Sequence, residues 1–368
     1  MLYLASVYAS GTDSHTCLTI QVQRIKNKDN SDNDNIHILD VCLHKIMKNI
    51  LVTGGAGFIG VHVLKKLLSL KVNKIIVIDN LSNANSEFSD CILKKESETL
   101  SFYKEDIRNK KAILDIIKGQ SIDTCIHLAA IVSVLDSIID PGYTVDVNIN
   151  GTFNILDACS RMKVRNFIFS SSCAVYGQSM KLPLSEKNTP EPLSPYGASK
   201  VAGEVLISSY RKTKKIRNAI SLRFFNVYGK NQNPQYAGVI TKFVKRLAKG
   251  LAPTIYGDGN QTRDFIHVDD VVDAIILAVS VKAGRNDELS SYTFNVGTGS
   301  PTSVNVLAHK MIDIFGLNLK PVYRRAQVGE MRYCYADTTK SRKFLNFLAR
   351  ESFESKLSQI VSNILSKN

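Results

Sequence analysis

Tyr196-Gly-Ala-Ser-Lys200 places a phenol four residues ahead of an ammonium. On a helix, positions i and i+4 share a face, so the two groups can act together. A free phenol has a reference pKa of about 10 and is a poor base at neutral pH. A neighbouring positive charge favours the phenolate, which can then take the proton of an alcohol while a hydride leaves the same carbon. Taken alone, Y-x-x-x-K also recurs by chance on solvated helix faces. Ser170-Ser171-Ser172 closes an apolar stretch 24 residues before Tyr196. A hydroxyl there can hydrogen-bond the reacting oxygen and relay its proton, or it can simply cap the end of a strand.

A departing hydride needs an acceptor, and the segment Thr53-Gly54-Gly55-Ala56-Gly57-Phe58-Ile59-Gly60 points to one. Gly55, Gly57 and Gly60 fit G-x-G-x-x-G, and Gly54, Gly57 and Gly60 fit G-x-x-G-x-x-G. Small residues are needed where the backbone turns sharply, approaches a pyrophosphate and packs a helix onto a sheet. The helix that follows would offer unpaired N–H groups and a positive dipole end to the anion. Glycine turns also serve plain structural needs, but this one has an apolar strand before it and an amphipathic helix after it. Asp79 lies 19 residues beyond Gly60, at the end of the next apolar run. A carboxylate there can accept hydrogen bonds from the adenosine ribose and would repel a 2′-phosphate, which favours NAD over NADP.

These groups require elements to hold them. Short apolar runs occur at Asn49–Thr53, Lys74–Asp79, Asp123–Leu128, Asn166–Ser170 and Ala219–Phe224. They are unbroken rather than alternating, as strands covered on both faces should be. Helical stretches are predicted between them at Phe58–Leu70, Lys110–Lys118, Val145–Met162 and Tyr196–Tyr210. Strand–helix alternation predicts an α/β fold with a doubly wound parallel sheet. Beyond about residue 225 the order loosens into Gly, Pro and Asn clusters, which suggests a smaller C-terminal lobe.

Residues 1–46 differ from the rest: they are polar and irregular, and Asn27–Asn35 reads NKDNSDNDN. No basic region precedes the apolar opening, a poor fit to a secretory signal. We expect a disordered extension there, with Met47 as the natural start. Residues 47–224 are expected to form the dinucleotide-binding domain, with 265–297 returning to it. The smaller lobe would take 225–264 and 298–368.

The chain has 368 residues, 47 Lys+Arg against 33 Asp+Glu, and a net charge of +14. The 44% apolar share excludes a disordered chain, and no apolar run is long enough for a membrane span. Seven scattered Cys with no C-x-x-C pair fit reduced thiols in a cytoplasm rather than a disulfide framework. Seven His without H-x-x-x-H or H-E-x-x-H spacing predict no metal. The basic residues are dispersed, which suits anionic small molecules better than nucleic acid.

Taken together, TGGAGFIG (53–60), DNLSN (79–83), DIR (106–108), HLAA (127–130), NINGT (148–152), SSSCAVYG (170–177), SPYGASK (194–200), RFFNVYG (223–229), YGDGNQTRDFIHVDD (256–270) and GEMRYCYAD (329–337) resemble the extended short-chain dehydrogenase/reductase family. Within it the closest likeness is to nucleotide-sugar 4-epimerases, from about Lys48 to Asn346. The resemblance implies a Rossmann-type fold and makes Tyr196, Lys200 and Ser172 the catalytic trio. It implies NAD contacts from Gly54, Gly57, Phe58, Ile59, Gly60, Asp79, Asn80 and Ser82. Asp106 and Ile107 would flank the adenine; Leu128, Ala129 and Ala130 would line the way to the nicotinamide, with Asn148 and Phe225 nearby. On the nucleotide-sugar side it implies Asn226, Val239, Tyr256, Arg263, Arg332 and Cys334, with both guanidiniums on the diphosphate.

Relatives that dehydrate a 4-keto sugar use an Asp-Glu pair after the strand-end hydroxyl, and decarboxylases a Glu at the second position. This chain has Cys173 and Ala174 there, which leaves oxidation and return of the hydride at C4 of a UDP-hexose. The small Cys334, where relatives that reject N-acetyl sugars carry an aromatic, predicts that UDP-GlcNAc and UDP-GalNAc are accepted beside UDP-Glc and UDP-Gal. Gln327 departs from the pattern, since relatives carry an Arg for the diphosphate. The rival readings are a UDP-glucuronate 4-epimerase, another nucleotide-sugar oxidoreductase, and a non-catalytic NAD- or RNA-binding protein. The resemblance also implies a homodimer joined through the helices predicted at Val145–Met162 and Tyr196–Tyr210.

Overall fold

The computed structural model describes residues 2–10, 17–25, 47–85, 88, 99–230, 232, 238–281, 292–326 and 331–365. The chain divides into two units, residues 1–47 and 48–368. In the first, β1 (Leu2–Ser10) pairs antiparallel with β2 (Cys17–Ile25), Leu2 opposite Ile25 and Ser10 opposite Cys17. This strand pair was not anticipated from the sequence; residues 11–16 and 26–46, where the expected extension continues, lie outside the described residues.

The second unit is built on seven parallel strands. They are β3 (Asn49–Thr53), β4 (Lys74–Asp79), β5 (Leu100–Lys104), β6 (Thr124–His127), β7 (Asn166–Ser172), β8 (Asn218–Phe224) and β12 (Thr293–Val296), in the order β12-β8-β7-β6-β3-β4-β5. From β3 the chain winds first through β4 and β5, then returns to β6 on the other side. A ligand crevice is expected where the winding direction reverses, at the carboxyl ends of β3 and β6. In β3 and β4 every residue from Ile50 to Val52 and from Ile75 to Ile78 is fully buried, which explains the unbroken apolar runs. Strand β5 is a half-buried edge, and β12 carries the buried Asn295, so neither shows a plain apolar run.

Helices cover both faces: α1 (Phe58–Ser69), α2 (Lys110–Ile117), α3 (Val134–Ile139), α4 (Pro141–Val145), α5 (Thr152–Arg161) and α6 (Pro195–Lys212). The helix predicted at Val145–Met162 is instead α4, a π turn over Asp146–Gly151, and α5. Gly151, at the end of this turn, lies against Ile107, where a Cβ would stand 2.6 Å from the side chain. Short π turns of this kind cluster at functional sites.

The smaller lobe contains β9 (Asn226–Tyr228), α7 (Val239–Leu247), β10 (Thr254–Tyr256), β11 (Thr262–His267), β13 (Pro301–Ser303), α9 (Val304–Ile314), β14 (Val322–Arg324) and β15 (Tyr333–Cys334). Helix α8 (Val268–Ser280) leads from β11 back to β12, and α10 (Thr339–Leu345) and α11 (Phe353–Leu365) close the chain. The lobe has its own core of Phe243, Leu247, Ile255, Leu307, Met311 and Leu357. Each such side chain contributes roughly 1.5–3 kcal/mol on burial. No helix among the described residues is long and apolar enough to cross a membrane.

Candidate active site

A cavity of about 720 Å³ runs from the glycine turn to the smaller lobe. At its first end the chain turns from β3 into α1 with Gly54 at φ +71°, where a Cβ would come within 2.5 Å of the Ala129 nitrogen. At Gly60 a Cβ would lie 2.3 Å from the Gly54 carbonyl oxygen. Gly57 is different. Its φ is −73°, and a Cβ there would meet only the Gly54 oxygen, at 3.3 Å. Glycine at 57 therefore serves the cavity it lines rather than the packing. Helix α1 begins at Gly57 with no side-chain cap and no acid in its first turn, so its amides are open to an anion. Replacing Gly57 by Ala should leave the melting temperature nearly unchanged while dinucleotide retention after dialysis falls at least about tenfold. Gly60→Ala should instead cost about 1–3 kcal/mol of stability by overpacking.

Asp79 ends β4 and lines the cavity; its carboxylate accepts from Ala56 N at 3.0 Å and Leu81 N at 2.8 Å. Burial pushes its pKa up, against the pull of those two amides. Each oxygen keeps a lone pair for a ribose hydroxyl. Asn80 donates to Asp106 at 3.0 Å, and Ser82 N donates to Asn80 at 3.0 Å. The Arg108 guanidinium holds the Asp106 carboxyl down to about 2. Phe58, Ile59, Ile107, Leu128, Ala129, Ala130 and Phe225 also face the cavity. An uncapped helix end, a glycine with space before it and a ribose-reading acid fit a dinucleotide.

Asn148 does not face it. Its side chain is buried in the π turn, accepts from Ile131 N at 2.8 Å, and donates to Ile131 O at 2.9 Å and Ser199 at 3.0 Å. It holds the cavity-lining loop after β6 against α6, a positioning role the linear sequence could not show.

Ser172, Tyr196 and Lys200 line the same cavity. Ser172 ends β7, its hydroxyl accepting from Ala174 N at 3.2 Å. Helix α6 starts at Ser194, whose hydroxyl caps Gly197 N at 3.1 Å, with Pro195 in the first turn. That start places Tyr196 and Lys200 on the face toward β7. Lys200 Nζ donates to Ser170 O at 2.8 Å and lies 5.8 Å from the Tyr196 ring centre. Burial pushes Tyr196 up to about 12, and a hydrogen bond with Ser172 pulls it back. Burial lowers Lys200 to about 7, opposed by the charge of Glu204.

At the far end, Asn226, Val239, Tyr256 and Arg263 line the cavity. Asn226 donates to Asp264 O at 3.4 Å, Val239 opens α7, and Arg263 Nη1 donates to Thr262 O at 2.9 Å. Two expected contacts lie elsewhere. Arg332 makes a two-bond pair with Asp258, at 2.9 and 2.6 Å, and does not line the cavity. Cys334 is fully buried behind the wall, clustered with Cys173, Tyr176 and Phe225, while Cys173 is the thiol that lines the space. Cys334→Tyr is therefore expected to overpack this cluster, lowering stability by about 1–3 kcal/mol. It should slow plain and N-acetyl hexoses alike, which paired chemical-denaturation and turnover measurements check. Gln327 lies outside the described residues. Sequence reasoning also missed Gln261, which lines the cavity and donates to Tyr256 O at 2.7 Å.

A glycine-turn dinucleotide cradle, a Ser–Tyr–Lys trio and a second lobe with cationic lining together define an α/β protein built for hydride exchange at an alcohol carbon. The chain belongs to the NAD-dependent epimerase/dehydratase family, whose sequence pattern matches residues 50–297. Among its relatives, a UDP-glucose 4-epimerase of Mycolicibacterium smegmatis is 34% identical over 299 residues, covering 81% of this chain and 92% of that protein. A Thermotoga maritima UDP-glucose 4-epimerase solved with UDP-glucose superposes with a TM-score of 0.78 at 34% identity, covering 87% of this chain and 99% of that one. A UDP-N-acetylglucosamine 4-epimerase of Methanobrevibacter ruminantium, in complex with UDP-N-acetylmuramic acid, gives 0.79 at 32%, covering 88% and 99%.

Proposed function

We propose that this protein is an NAD-dependent UDP-hexose 4-epimerase that interconverts UDP-glucose with UDP-galactose and UDP-GlcNAc with UDP-GalNAc. The observation that carries the reading is that Ser172, Tyr196 and Lys200 line the same cavity as Gly57, Asp79, Asn226 and Arg263. NAD, when bound, supplies a hydride acceptor that can also give the hydride back, so none is consumed. Tyr196 takes the proton of the 4-hydroxyl and later returns it, with Ser172 bonded to both oxygens during the exchange. Lys200 favours the charged phenolate. Arg263 holds the diphosphate, and the sugar turns about that anchor to present its other face. Cys173 and Ala174 offer no acid or base beyond Ser172, and the small side chains there support room for a 2-acetamido group.

The test is incubation of the purified protein with UDP-galactose and UDP-GalNAc, without added NAD, and chromatography of the products. Formation of the C4 epimers with no net NADH supports the reading. Inertness toward both substrates, with turnover of UDP-glucuronate, would favour the acidic-sugar rival.

Two further features accompany it. Tyr143, Val145, Phe153 and Val205 are exposed apolar residues on α4, α5 and α6, which supports a homodimer joined through these helices. Cys125, Cys159, Cys173 and Cys334 are free thiols, as suits a cytoplasmic enzyme of nucleotide-sugar supply for galactose or polysaccharide metabolism.

A further inference from the structure

One turn beyond Lys200 on α6 lies a buried carboxylate that the reaction as described does not use. Glu204 is 8% exposed. Its Oε1 accepts from Ser171 Oγ at 2.5 Å and from Arg223 Nε at 2.8 Å, and its Oε2 accepts from Arg223 Nη2 at 2.7 Å. Arg223, on β8, is 4% exposed and lies over the Tyr176 ring, 4.6 Å from its centre. The carboxylate therefore ties α6 to β7 through Ser171 and to β8 through Arg223. Ser171 sits between Ser170, whose carbonyl takes the Lys200 ammonium, and Ser172, which bonds Tyr196.

Other groups near Lys200 bring it no negative charge. His127, on β6, is buried between Thr53 and Thr152, at 2.6 and 2.9 Å, and burial together with the Lys200 charge keeps it neutral, at about 3. Phe169 lies 5.0 Å from Nζ, Asn148 and Ser199 bond each other, and Tyr196 is a phenol in the resting protein. Arg223, on β8, is engaged with Glu204 and the Tyr176 ring. A buried pair of this kind is no net gain for stability in general, because desolvation offsets the attraction. A reason for keeping it must lie elsewhere.

We propose that Glu204, with Arg223 as its counter-ion, is a positioning residue for the epimerisation: it clamps α6 onto the Ser170–Ser172 strand end and supplies the carboxylate that faces Lys200. The proposal rests on the function proposed above. Lys200 acts as an ammonium, so activity is lost as pH rises through its pKa. Removing the Glu204 charge removes the negative charge that supports the ammonium. Removing Arg223 keeps the carboxylate but takes away its buried counter-ion.

The experiment measures kcat/KM against pH for the wild type, Glu204→Gln, Glu204→Asp and Arg223→Gln. In parallel, the Lys200 Cε resonance of 13C-lysine-labelled protein is titrated without substrate. Glu204→Gln should move the alkaline limb and the Lys200 titration down by about one pH unit, a loss of about tenfold at the alkaline end. Glu204→Asp should hold both near the wild type even if its melting temperature falls, and Arg223→Gln, which keeps the carboxylate, should shift both by less than Glu204→Gln does. An unmoved limb in Glu204→Gln, or an equally large downward shift in Arg223→Gln, overturns the proposal. So does failure of both Gln variants to fold, which would make the pair a structural contact. If the wild type turns over no UDP-hexose, the functional reading fails, and the substrate-free Lys200 titration still decides this one.

Discussion

Tyr196→Phe should lower turnover roughly a thousandfold, within the range that general acid–base groups contribute, while leaving the fold and dinucleotide content intact. The substitution removes one oxygen and keeps the ring that lies 5.8 Å from Lys200 Nζ. Tyr196 is held by the cap at Ser194 and by its place on α6 rather than by the hydroxyl itself. Its ordinary role in the resting protein is that of a phenol, since burial pushes it up to about 12. The Ser172 hydrogen bond and the Lys200 charge must therefore bring the phenolate within reach during the reaction. Loss of the oxygen removes the group that both accepts and returns the 4-hydroxyl proton, so both directions of the interconversion should slow equally. Matched melting curves, equal NAD released on denaturation and a thousandfold slower approach to the same product ratio would make up the expected result. Turnover within tenfold of the wild type would remove Tyr196 from the chemistry.

The parts legible in the sequence are those in which a local spacing carries the geometry. Tyr196 and Lys200 share a face because four residues make about one helical turn. The glycine turn could be read because strand, turn and helix are consecutive, and β3, β4, β6, β7 and β8 because burial on both faces demands unbroken apolar runs. What stayed hidden depends on contacts between distant segments. Strand β12 escaped because Asn295 is buried yet polar: it accepts from Tyr176 and donates to Leu184 O and Asp337 O, a network assembled from four segments. Asn148 turned inward because a π bulge, unlike an α-helix, shifts the facing of residues along the chain. Arg332 has an acidic partner, Asp258, 74 residues away, and no periodicity signals such a pair. Cys334 lies one layer behind Cys173, a difference of depth that residue type alone does not reveal. Glu204 did carry a signal: a carboxylate four residues after Lys200, on a helix face turned toward the sheet.

Asp264 is a residue whose change should cost the fold heavily. It is fully buried in β11, next to Arg263, and its carboxylate receives four hydrogen bonds. Oδ1 accepts from Thr298 N at 2.9 Å and Thr298 Oγ1 at 2.6 Å; Oδ2 accepts from Gly299 N at 2.8 Å and Ala336 N at 3.1 Å. It thereby joins β11 to the turn after β12 and to the segment after β15, while its own carbonyl accepts from Asn226. Gly297 is glycine for the same reason, since a Cβ would stand 2.7 Å from Asp264 Oδ2. Asp264→Asn keeps the size but points an NH2 at two N–H or O–H donors, leaving them unsatisfied at a fully buried position. Each bond to a charged acceptor is worth roughly 1.5–3 kcal/mol, so two lost bonds should cost about 3–6 kcal/mol. For a chain of this size that corresponds to a fall of roughly 5–9 °C in Tm. Arg263 and Asn226 are positioned from the same strand and its neighbour, so KM for the UDP-sugar should rise more than kcat falls. Thermal unfolding together with kcat and KM on the surviving folded protein tests both halves. A Tm within about 2 °C of the wild type would show that the four donors find other partners and that Asp264 does not hold the lobe together.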